Sequence, residues 1–294
     1  MNSWKKYSLW AIIVSYLIMT LLFDLSPYSK PELGSIISIG TLFLFSVLHG
    51  TTYYRFKDFF AFFIISFLVS NIFENIGVIT GFPFGYYHYT DQIGPKLLHV
   101  PIIVGFAYFS VGYLSWILAH ALLGKYNMIL HKGDIFVVPI IASFIMVCWD
   151  LVMDPLSSTL GNQWVWHNGG GYFGVPFKNF MGWYLVVYTY TQLFALYLNR
   201  FAPHSSEPTN IPPVFWYQAC LVYGLIALEY PLLSFVGTNS QIFDKKGTAW
   251  WTADMYDSAA LISIFTMCFI TLLAAIKITR EYRHLSTVKV KESK

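Results

Sequence analysis

The chain has 294 residues, of which 56% are hydrophobic and 11% are charged, and its formal net charge is +3. A soluble domain of this length could not bury so much apolar surface, so the composition excludes an ordinary soluble protein and predicts one that lives in a bilayer. The small net charge argues against nucleic acid as a partner. No linker or internal repeat divides the sequence, so residues 1–294 are predicted to form a single integral-membrane domain.

Long apolar runs predict an all-α, polytopic bundle of about eight transmembrane helices, since about 17–25 apolar residues cross a bilayer. In chain order they cover approximately residues 8–23, 33–49, 59–79, 97–123, 134–153, 180–198, 212–235 and 255–277. Lys and Arg are concentrated in alternate loops and in both termini, which predicts that both termini are cytoplasmic. The expected location is the inner (cytoplasmic) membrane, with lipid headgroups around the basic C-terminal tail.

The third predicted helix carries a polar face within an apolar run. Ser66, Ser70, Asn71, Glu74 and Asn75 follow at helical spacings and so lie on one side of the helix. A carboxylate in hydrocarbon is costly, so an acidic residue in such a run usually faces the bundle interior and marks a functional site. This favours a functional role for Glu74 over a purely structural one.

The two longest loops on the predicted outer side, residues 80–96 and 155–183, are rich in Gly, Pro and aromatic residues. Such aromatics are typical of a belt at the membrane interface, but their density beside acidic helix ends favours a lid over a pocket. His88 and His167 lie in these loops, where they could take part in proton transfer or be structural. The histidines lack the paired spacing of membrane di-iron enzymes, so no metal site is predicted.

The fifth predicted helix ends with Asp150 and Asp154, which are four residues apart and project from the same side. Two close carboxyl groups in apolar surroundings cannot both ionise easily, so one is expected to keep its proton and to serve as a general acid. Alternatively, Asp154 only completes a turn before Pro155. Glu229, close to a proline in the seventh helix, could join the acidic site or bond backbone groups that the proline frees.

Four segments of the central chain together resemble the integral-membrane carotenoid hydratases. They are E-N-I-G-V-I-T-G-F-P-F-G-Y-Y-H-Y-T-D-Q-I-G-P-K-L-L-H-V-P from residue 74, W-D-L-V-M-D-P from 149, W-V-W from 164 and G-Y-F-G-V-P-F-K-N-F-M-G-W from 171. The first two and last two predicted helices resemble this family mainly in hydropathy. Tyr108 departs from the pattern, which leads us to expect tryptophan there.

The resemblance implies that water is added to the terminal C1–C2 double bond of an acyclic carotenoid ψ-end group, giving a tertiary alcohol without a metal or cofactor. Asp150 or Asp154 would protonate C2, and the other carboxyl group would hold and activate the water together with Glu74. Aromatic faces would stabilise the tertiary cation. The expected substrate-binding residues are Asn75, Tyr87, His88, Trp149, Trp166, Asn179 and Trp183.

A carotenoid would reach such a site from the bilayer, and other enzymes of the carotenoid pathway are expected partners. Two other functions remain open from the sequence. The D-x-x-x-D spacing of Asp150 and Asp154 also occurs in membrane prenyltransferases, although these normally carry two such motifs. Buried acids also suit a proton-coupled transporter, although the chain lacks the inverted repeat and broken helices of that class.

Overall fold

The computed structural model describes residues 3–24, 31–126, 130, 133–202 and 211–292. Helices dominate the described chain: α1 (Ser3–Met19), α2 (Pro31–Gly50), α3 (Phe56–Thr80), α4 (Ile102–Leu122), α5 (Asp134–Asp154), α6 (Phe177–Phe201), α7 (Pro213–Val236), α8 (Thr252–Ile262) and α9 (Phe269–Glu292). Short π-helical segments extend α1 (Thr20–Asp24) and α5 (Pro155–Leu160), and a third (Ser263–Cys268) joins α8 to α9. Because α8, this third π-helical segment and α9 form one continuous helix, the described chain has eight long helical segments, as predicted.

Within the described residues, seven helical segments are long and apolar enough to cross a bilayer, which confirms a multi-pass membrane protein. They are Trp4–Leu22, Leu33–Gly50, Phe56–Thr80, Ile102–Leu122, Asp134–Leu160, Pro213–Val236 and Thr252–Arg283. The eighth, α6, is 25 residues long but less apolar, because tyrosine, threonine and glutamine interrupt its hydrophobic positions. The orientation of the termini stays a prediction.

The sequence predicts that the fourth helix begins at about residue 97, but it begins at Ile102. Residues 96–101 instead form a short hairpin of β2 (Lys96–Leu97) and β3 (Val100–Pro101), whose last residue, Pro101, is the N-terminal cap of α4. Proline disfavours helical conformation in the residue before it, so the helix cannot extend further back.

Helix α4 lies at the centre of the bundle, where it packs against α2, α3, α5, α7 and α9. Almost every residue from Gly105 to Ala121 is buried. A helix surrounded by others on all sides needs apolar or small residues all round, which explains why α4 lacks a polar face. The polar residues of the core therefore come mainly from α3, α5 and α6, which pack beside it.

Two further strand pairs lie outside the helices. The strand β1 (Tyr87–Tyr89) pairs with β4 (Trp164–Trp166), and β5 (Gln241–Phe243) pairs with β6 (Ala249–Trp251), both antiparallel. We call the β1–β4 pair the roof, and the end of the bundle that it covers the site end. The chain turns from α3 toward the roof at Gly81, which adopts a left-handed conformation (φ 75°) and donates its N–H to Gly77 O.

Candidate active site

Glu74 lies on α3 with 2% of its surface exposed, and its carboxyl group accepts hydrogen bonds from three tyrosines. Tyr87 Oη and Tyr89 Oη both donate to Oε2, the latter at 2.9 Å, and Tyr108 Oη donates to Oε1 at 2.8 Å. Burial, with the nearby Glu74 carboxylate, raises the pKa of Tyr87 and of Tyr89 well above the usual value. The hydroxyl groups of Tyr87 and Tyr89 therefore stay protonated and available as donors.

The second acidic cluster is centred on Asn179 of α6. Its Nδ2 donates to Asp150 Oδ2 at 3.0 Å and to Asp154 Oδ2 at 2.5 Å, so both carboxyl groups meet one amide. Two indole N–H groups, from Trp164 and Trp166, donate to Asp154 Oδ1 at 3.1 and 3.3 Å. Asp154 thus accepts three N–H donors, whereas Asp150 Oδ1 is buried with no hydrogen-bond partner among the described residues.

The roof supplies donors to both clusters, and its sequence explains how. The triplets Y-H-Y and W-V-W alternate, so the two outer residues of each strand point to the same face. The register pairs Tyr87 with Trp166 and Tyr89 with Trp164, and all four side chains are buried. One short ribbon thereby connects the Glu74 cluster, through its tyrosines, to the Asp154 cluster, through its tryptophans.

A cavity of about 440 Å³ lies beneath the roof, within the range of about 300–1,000 Å³ typical of small-molecule sites. Glu74, Asp154 and Asn179 line it, as do Ile39 of α2 and Leu233 of α7. Aromatic side chains form much of the remaining wall, namely Phe84, Tyr87, Tyr89, Trp149, Trp164, Trp166 and Trp183. The cavity therefore combines the two buried carboxyl groups of Glu74 and Asp154, and the half-buried one of Glu229, with a largely aromatic and aliphatic lining.

Trp183 is held firmly in that wall by two aromatic neighbours. Its ring stacks on Tyr108 with centroids 4.1 Å apart and planes 11° apart, and it meets Trp149 edge-on at 5.9 Å. Because Tyr108 also bonds Glu74, the same residue fixes a carboxyl group and an indole face.

Most of the sequence-predicted site residues meet at this cavity, but three do not line it. The residues that do are Glu74, Asp154, Tyr87, Trp149, Trp166, Asn179 and Trp183, together with Glu229 of α7. Asp150 lies behind Asn179 and is fully buried. Asn75 bonds Asn71 O and the backbone N–H of His99, so it secures the chain after the roof. His88 points to the exposed face of the roof, where its Nδ1 is 2.7 Å from His167 Nε2.

Sequence reasoning missed three donors to the acids: Tyr89, Trp164 and Tyr108. The alternation within Y-H-Y and W-V-W would have revealed the first two, because it places Tyr89 beside Tyr87 and Trp164 beside Trp166 on one face of a strand. Tyr108 stood out only as a departure from the expected tryptophan. Its hydroxyl supplies a hydrogen bond to Glu74 that an indole, with its single N–H on a larger ring, would have to make from a different position.

The electrostatics of the site are set by neutral donors. The side chains that bond Glu74 and Asp154 are phenols, indoles and an amide, and neither Lys nor Arg is among the described residues that line the cavity. Among the described residues, no group of three or more His, Cys, Asp or Glu is arranged to hold a metal ion. Such a site can exchange protons and can stabilise a positive charge, and the part of the cavity wall that the structure describes offers no cationic side chain to a phosphate.

Comparison with known proteins adds the family context. A family model described as "Carotenoid biosynthesis protein" matches residues 33–238. The chain is 31% identical over 113 residues to the bisanhydrobacterioruberin hydratase of Haloarcula japonica, an alignment that covers 38% of this chain and 36% of that protein. The aligned part is therefore little more than a third of this relative's length. No solved structure matches the chain.

Proposed function

Because the chain belongs to the carotenoid biosynthesis protein family, we propose that it is a carotenoid hydratase of the inner membrane, which adds water to the terminal C1–C2 double bond of an acyclic ψ-end group. One observation carries this proposal. Two buried carboxyl groups, whose hydrogen-bond donors among the described residues are all neutral, share an aromatic-lined cavity inside a membrane bundle. Acid-catalysed hydration of an alkene needs such a combination of a proton donor, a proton acceptor and faces that stabilise a carbocation.

Asp154 is the carboxyl group that would protonate the alkene, since it lines the cavity and Asp150 does not. Its Oδ1 accepts two indole N–H groups and its Oδ2 accepts one amide N–H, so Oδ2 keeps one acceptor position for the transferable proton. The π electrons of C1=C2 form the new C2–H bond and leave a tertiary cation at C1. The resulting carboxylate is stabilised by three N–H groups already in place, which need no reorganisation at that moment.

Glu74 would then act as the base. A water molecule attacks C1, forming the C–O bond, and gives a proton to Glu74, so that a neutral tertiary alcohol results. Until that bond forms, Trp149, Trp166 and Trp183 present π faces to the cation. Glu74 accepts hydroxyl donors only, and hydroxyl groups can both give and take hydrogen bonds, so its neighbours can adjust when it gains the proton.

One proton must return from Glu74 to Asp154 to complete a cycle. Tyr89 can take up this proton first, because its hydroxyl donates to Glu74 at 2.9 Å, and water in the cavity that both carboxyl groups line would carry it on to Asp154. We assign Asp150 a positioning role, since it shares Asn179 with Asp154 and thereby fixes the amide that holds the donor carboxyl.

The test is pigment conversion in a bacterial host that accumulates lycopene or γ-carotene. Expression of the chain should yield a product heavier by one water, and growth in ¹⁸O-labelled water should place the label in that hydroxyl. Asp154→Asn should yield unchanged pigment. Asp58→Asn is a matched control, because Asp58 is also a buried acid on a membrane helix but lies at the opposite end of the bundle. Unchanged pigment from folded wild-type protein with both carotenoids would refute the proposal.

A further inference from the structure

Prolines in the described helices leave backbone carbonyls without their usual donor. Proline has no N–H, so the carbonyl four residues earlier loses its helical hydrogen bond, and within a membrane bundle such a carbonyl needs another donor. Pro139 lies inside α5, Pro231 lies inside α7, and Pro155 directly follows the last residue of α5. The side chains that replace the missing N–H groups are Gln192, with Nε2 donating to Ile135 O at 3.1 Å, Tyr172, with Oη donating to Leu151 O at 2.8 Å, and Ser263, with Oγ donating to Ala227 O at 2.6 Å.

The bond from Tyr172 is the one that lies in the helical turn of the acidic pair. Leu151 is between Asp150 and Asp154 in the sequence, so its carbonyl belongs to the turn from which both carboxyl groups project. Pro155 itself has helical backbone angles (φ −56°, ψ −40°), so the chain continues as a helix in which this N–H is missing. A carbonyl that lost its donor here would turn toward another partner, and the direction of the neighbouring carboxyl groups would change with it.

Tyr172 also contacts the helix that carries the shared amide. Its ring meets the Phe180 ring edge-on with centroids 5.5 Å apart, and Phe180 follows Asn179 in α6. Burial raises the pKa of Tyr172 to about 12, with further contributions from Asp150 and Asp154, so its hydroxyl group stays protonated and available as a donor. One side chain therefore fixes α5 through its hydroxyl group and α6 through its ring, and the acidic cluster lies between these two helices.

The loop that carries Tyr172 is itself fixed to the end of α5. Val175 N–H donates to Tyr172 O at 2.9 Å, and Thr159 Oγ1, in the π-helical segment after α5, donates to Phe173 O at 2.6 Å. Gly174 adopts φ 83°, and a Cβ there would lie 2.7 Å from Thr159 Oγ1, so this close approach requires glycine. The Tyr172 hydroxyl group is thereby held in a preformed position.

Resting on the proposed hydratase function, we propose that Tyr172 is a positioning residue of the reaction, which supplies the hydrogen bond that Pro155 cannot supply and thereby orients the Asp154 carboxyl group toward the alkene. Tyr172 is not among the described residues that line the cavity, so it acts through Leu151 and not on the substrate. A general acid that is displaced from its productive geometry transfers its proton more slowly, whereas the aromatic wall still binds the end group. The role therefore predicts a lower kcat at an unchanged KM.

The test exchanges one donor for the other. Tyr172→Phe removes the hydroxyl group and keeps the ring, while Pro155→Ala restores a backbone N–H to Leu151 O. The two single variants, the double variant and the wild type are compared in kcat and KM of hydration per folded molecule, with lycopene or γ-carotene as substrate. Tyr223→Phe is the matched control, because Tyr223 Oη also donates at 2.8 Å to a carbonyl of α5, that of Ile145, but the residue four positions beyond Ile145 is not a proline.

We expect kcat to fall about fivefold in Tyr172→Phe, the factor that corresponds to one neutral hydrogen bond, and less than about twofold in Tyr223→Phe. In the Pro155→Ala background, Tyr172→Phe should lower kcat by less than about twofold, because the restored N–H then bonds Leu151 O. The thermal midpoint should fall in both tyrosine variants, so that only the rate separates them. An equal loss of kcat in both backgrounds, or an equal loss in Tyr223→Phe, would overturn the positioning role.

A measurement without substrate separates this role from the proposed function. Infrared difference spectra identify the carboxyl band of Asp154 by its loss in Asp154→Asn. That band should shift in Tyr172→Phe, stay in place in Tyr223→Phe and return toward its wild-type frequency in the double variant. The same shifts in proteins that all leave the carotenoids unchanged, the wild type included, would refute the hydratase and leave the positioning of Asp154 standing. An unshifted band in folded Tyr172→Phe would overturn the positioning role, whatever the activity.

Discussion

The two ends of the bundle each bury acidic side chains, but they balance them differently. At the end opposite the site, Asp58 is 3% exposed, and the Arg55 guanidinium contacts both its oxygens, Nε to Oδ2 at 2.5 Å and Nη2 to Oδ1 at 2.9 Å. Tyr197 Oη adds a third bond at 3.0 Å. At the site end, Glu74 and Asp154 have as many donors, yet every one of them is neutral.

This difference separates a structural acid from a reactive one. A carboxylate paired with guanidinium has its charge neutralised permanently, so the pair gains nothing from a proton or from a cationic ligand. A buried carboxylate with neutral donors keeps an uncompensated charge, which a proton or a transient positive charge can balance. A carbocation formed in the cavity would therefore balance the negative charge of these carboxylates, as Arg55 balances that of Asp58 at the other end.

The largest effect that follows is on the rate of hydration in Asp154→Asn. Loss of a general acid lowers catalysis by about 10²–10⁴-fold, and we expect a reduction of that size in product formed per folded molecule. The amide is isosteric with the protonated carboxyl group and equally neutral, and its oxygen can still accept the two indole N–H groups, so the thermal midpoint should change little. Pigment mass spectrometry and thermal unfolding in detergent measure the two quantities. Retained hydration in Asp154→Asn would contradict the assignment of Asp154 as a reactive acid.

The reverse pattern is expected for Asp58→Asn. This change removes the charge that pairs with Arg55 and puts an amide NH2 in place of one of the two acceptor oxygens, so the buried side chain makes fewer hydrogen bonds to Arg55 and Tyr197 and the thermal midpoint should fall. The rate of hydration per folded molecule should stay unchanged, because Asp58 lies far along α3 from Glu74. A stable Asp58→Asn protein with impaired hydration would show that the two ends are not separate in function.

The helices and the acidic residues could be predicted from the sequence because each rests on local information. An apolar run of sufficient length predicts a membrane span, and a carboxyl group within it predicts an inward-facing site. The spacing of Asp150 and Asp154 likewise placed both on one side of α5, where they meet one amide. The local pattern could not decide which of them faces the cavity, because that depends on how α5 is rotated against α6.

The remaining parts of the site depend on contacts between distant segments. Tyr87 and Trp166 become neighbours only because two short strands from separate loops pair in one register. That register also turns His88 away from the cavity, so its position in an aromatic loop beside the acidic helix ends was not enough to place it at the site. Asn75 shares a polar helix face with Glu74, yet it bonds the backbone of the loop that precedes α4.

A smaller effect should distinguish two buried tyrosines of α4. Tyr108 donates to Glu74, whereas the Tyr113 hydroxyl bonds His49 away from the cavity. Each phenylalanine variant loses one hydrogen bond, worth about 1 kcal/mol. For Tyr108→Phe we expect hydration to slow about fivefold, since Glu74 loses one of its three donors. Tyr113→Phe should lower stability to a similar degree with the rate per folded molecule retained, and equal rates in both variants would exclude a role of Tyr108 in the reaction.

The smallest expected effect concerns the exposed face of the roof, where His88 and His167 share a hydrogen bond of 2.7 Å. Partial burial, then His167, Lys245 and Lys96, lower the pKa of His88 below its usual 6.5. His88 therefore binds a proton at a higher pH in the unfolded chain than in the folded protein. Its contribution to stability is complete above the pKa of the unfolded chain, and it is lost as the pH falls through the pKa of the folded protein. Thermal midpoints measured from about pH 8 to about pH 5 should fall less steeply in His88→Gln than in the wild type. The control variant His99→Gln, which changes an exposed histidine of the β2–β3 hairpin, should keep the wild-type slope. Equal slopes in all three proteins would show that the histidine pair does not hold the roof, and the neutral donors beneath it would then be fixed by the strand register alone.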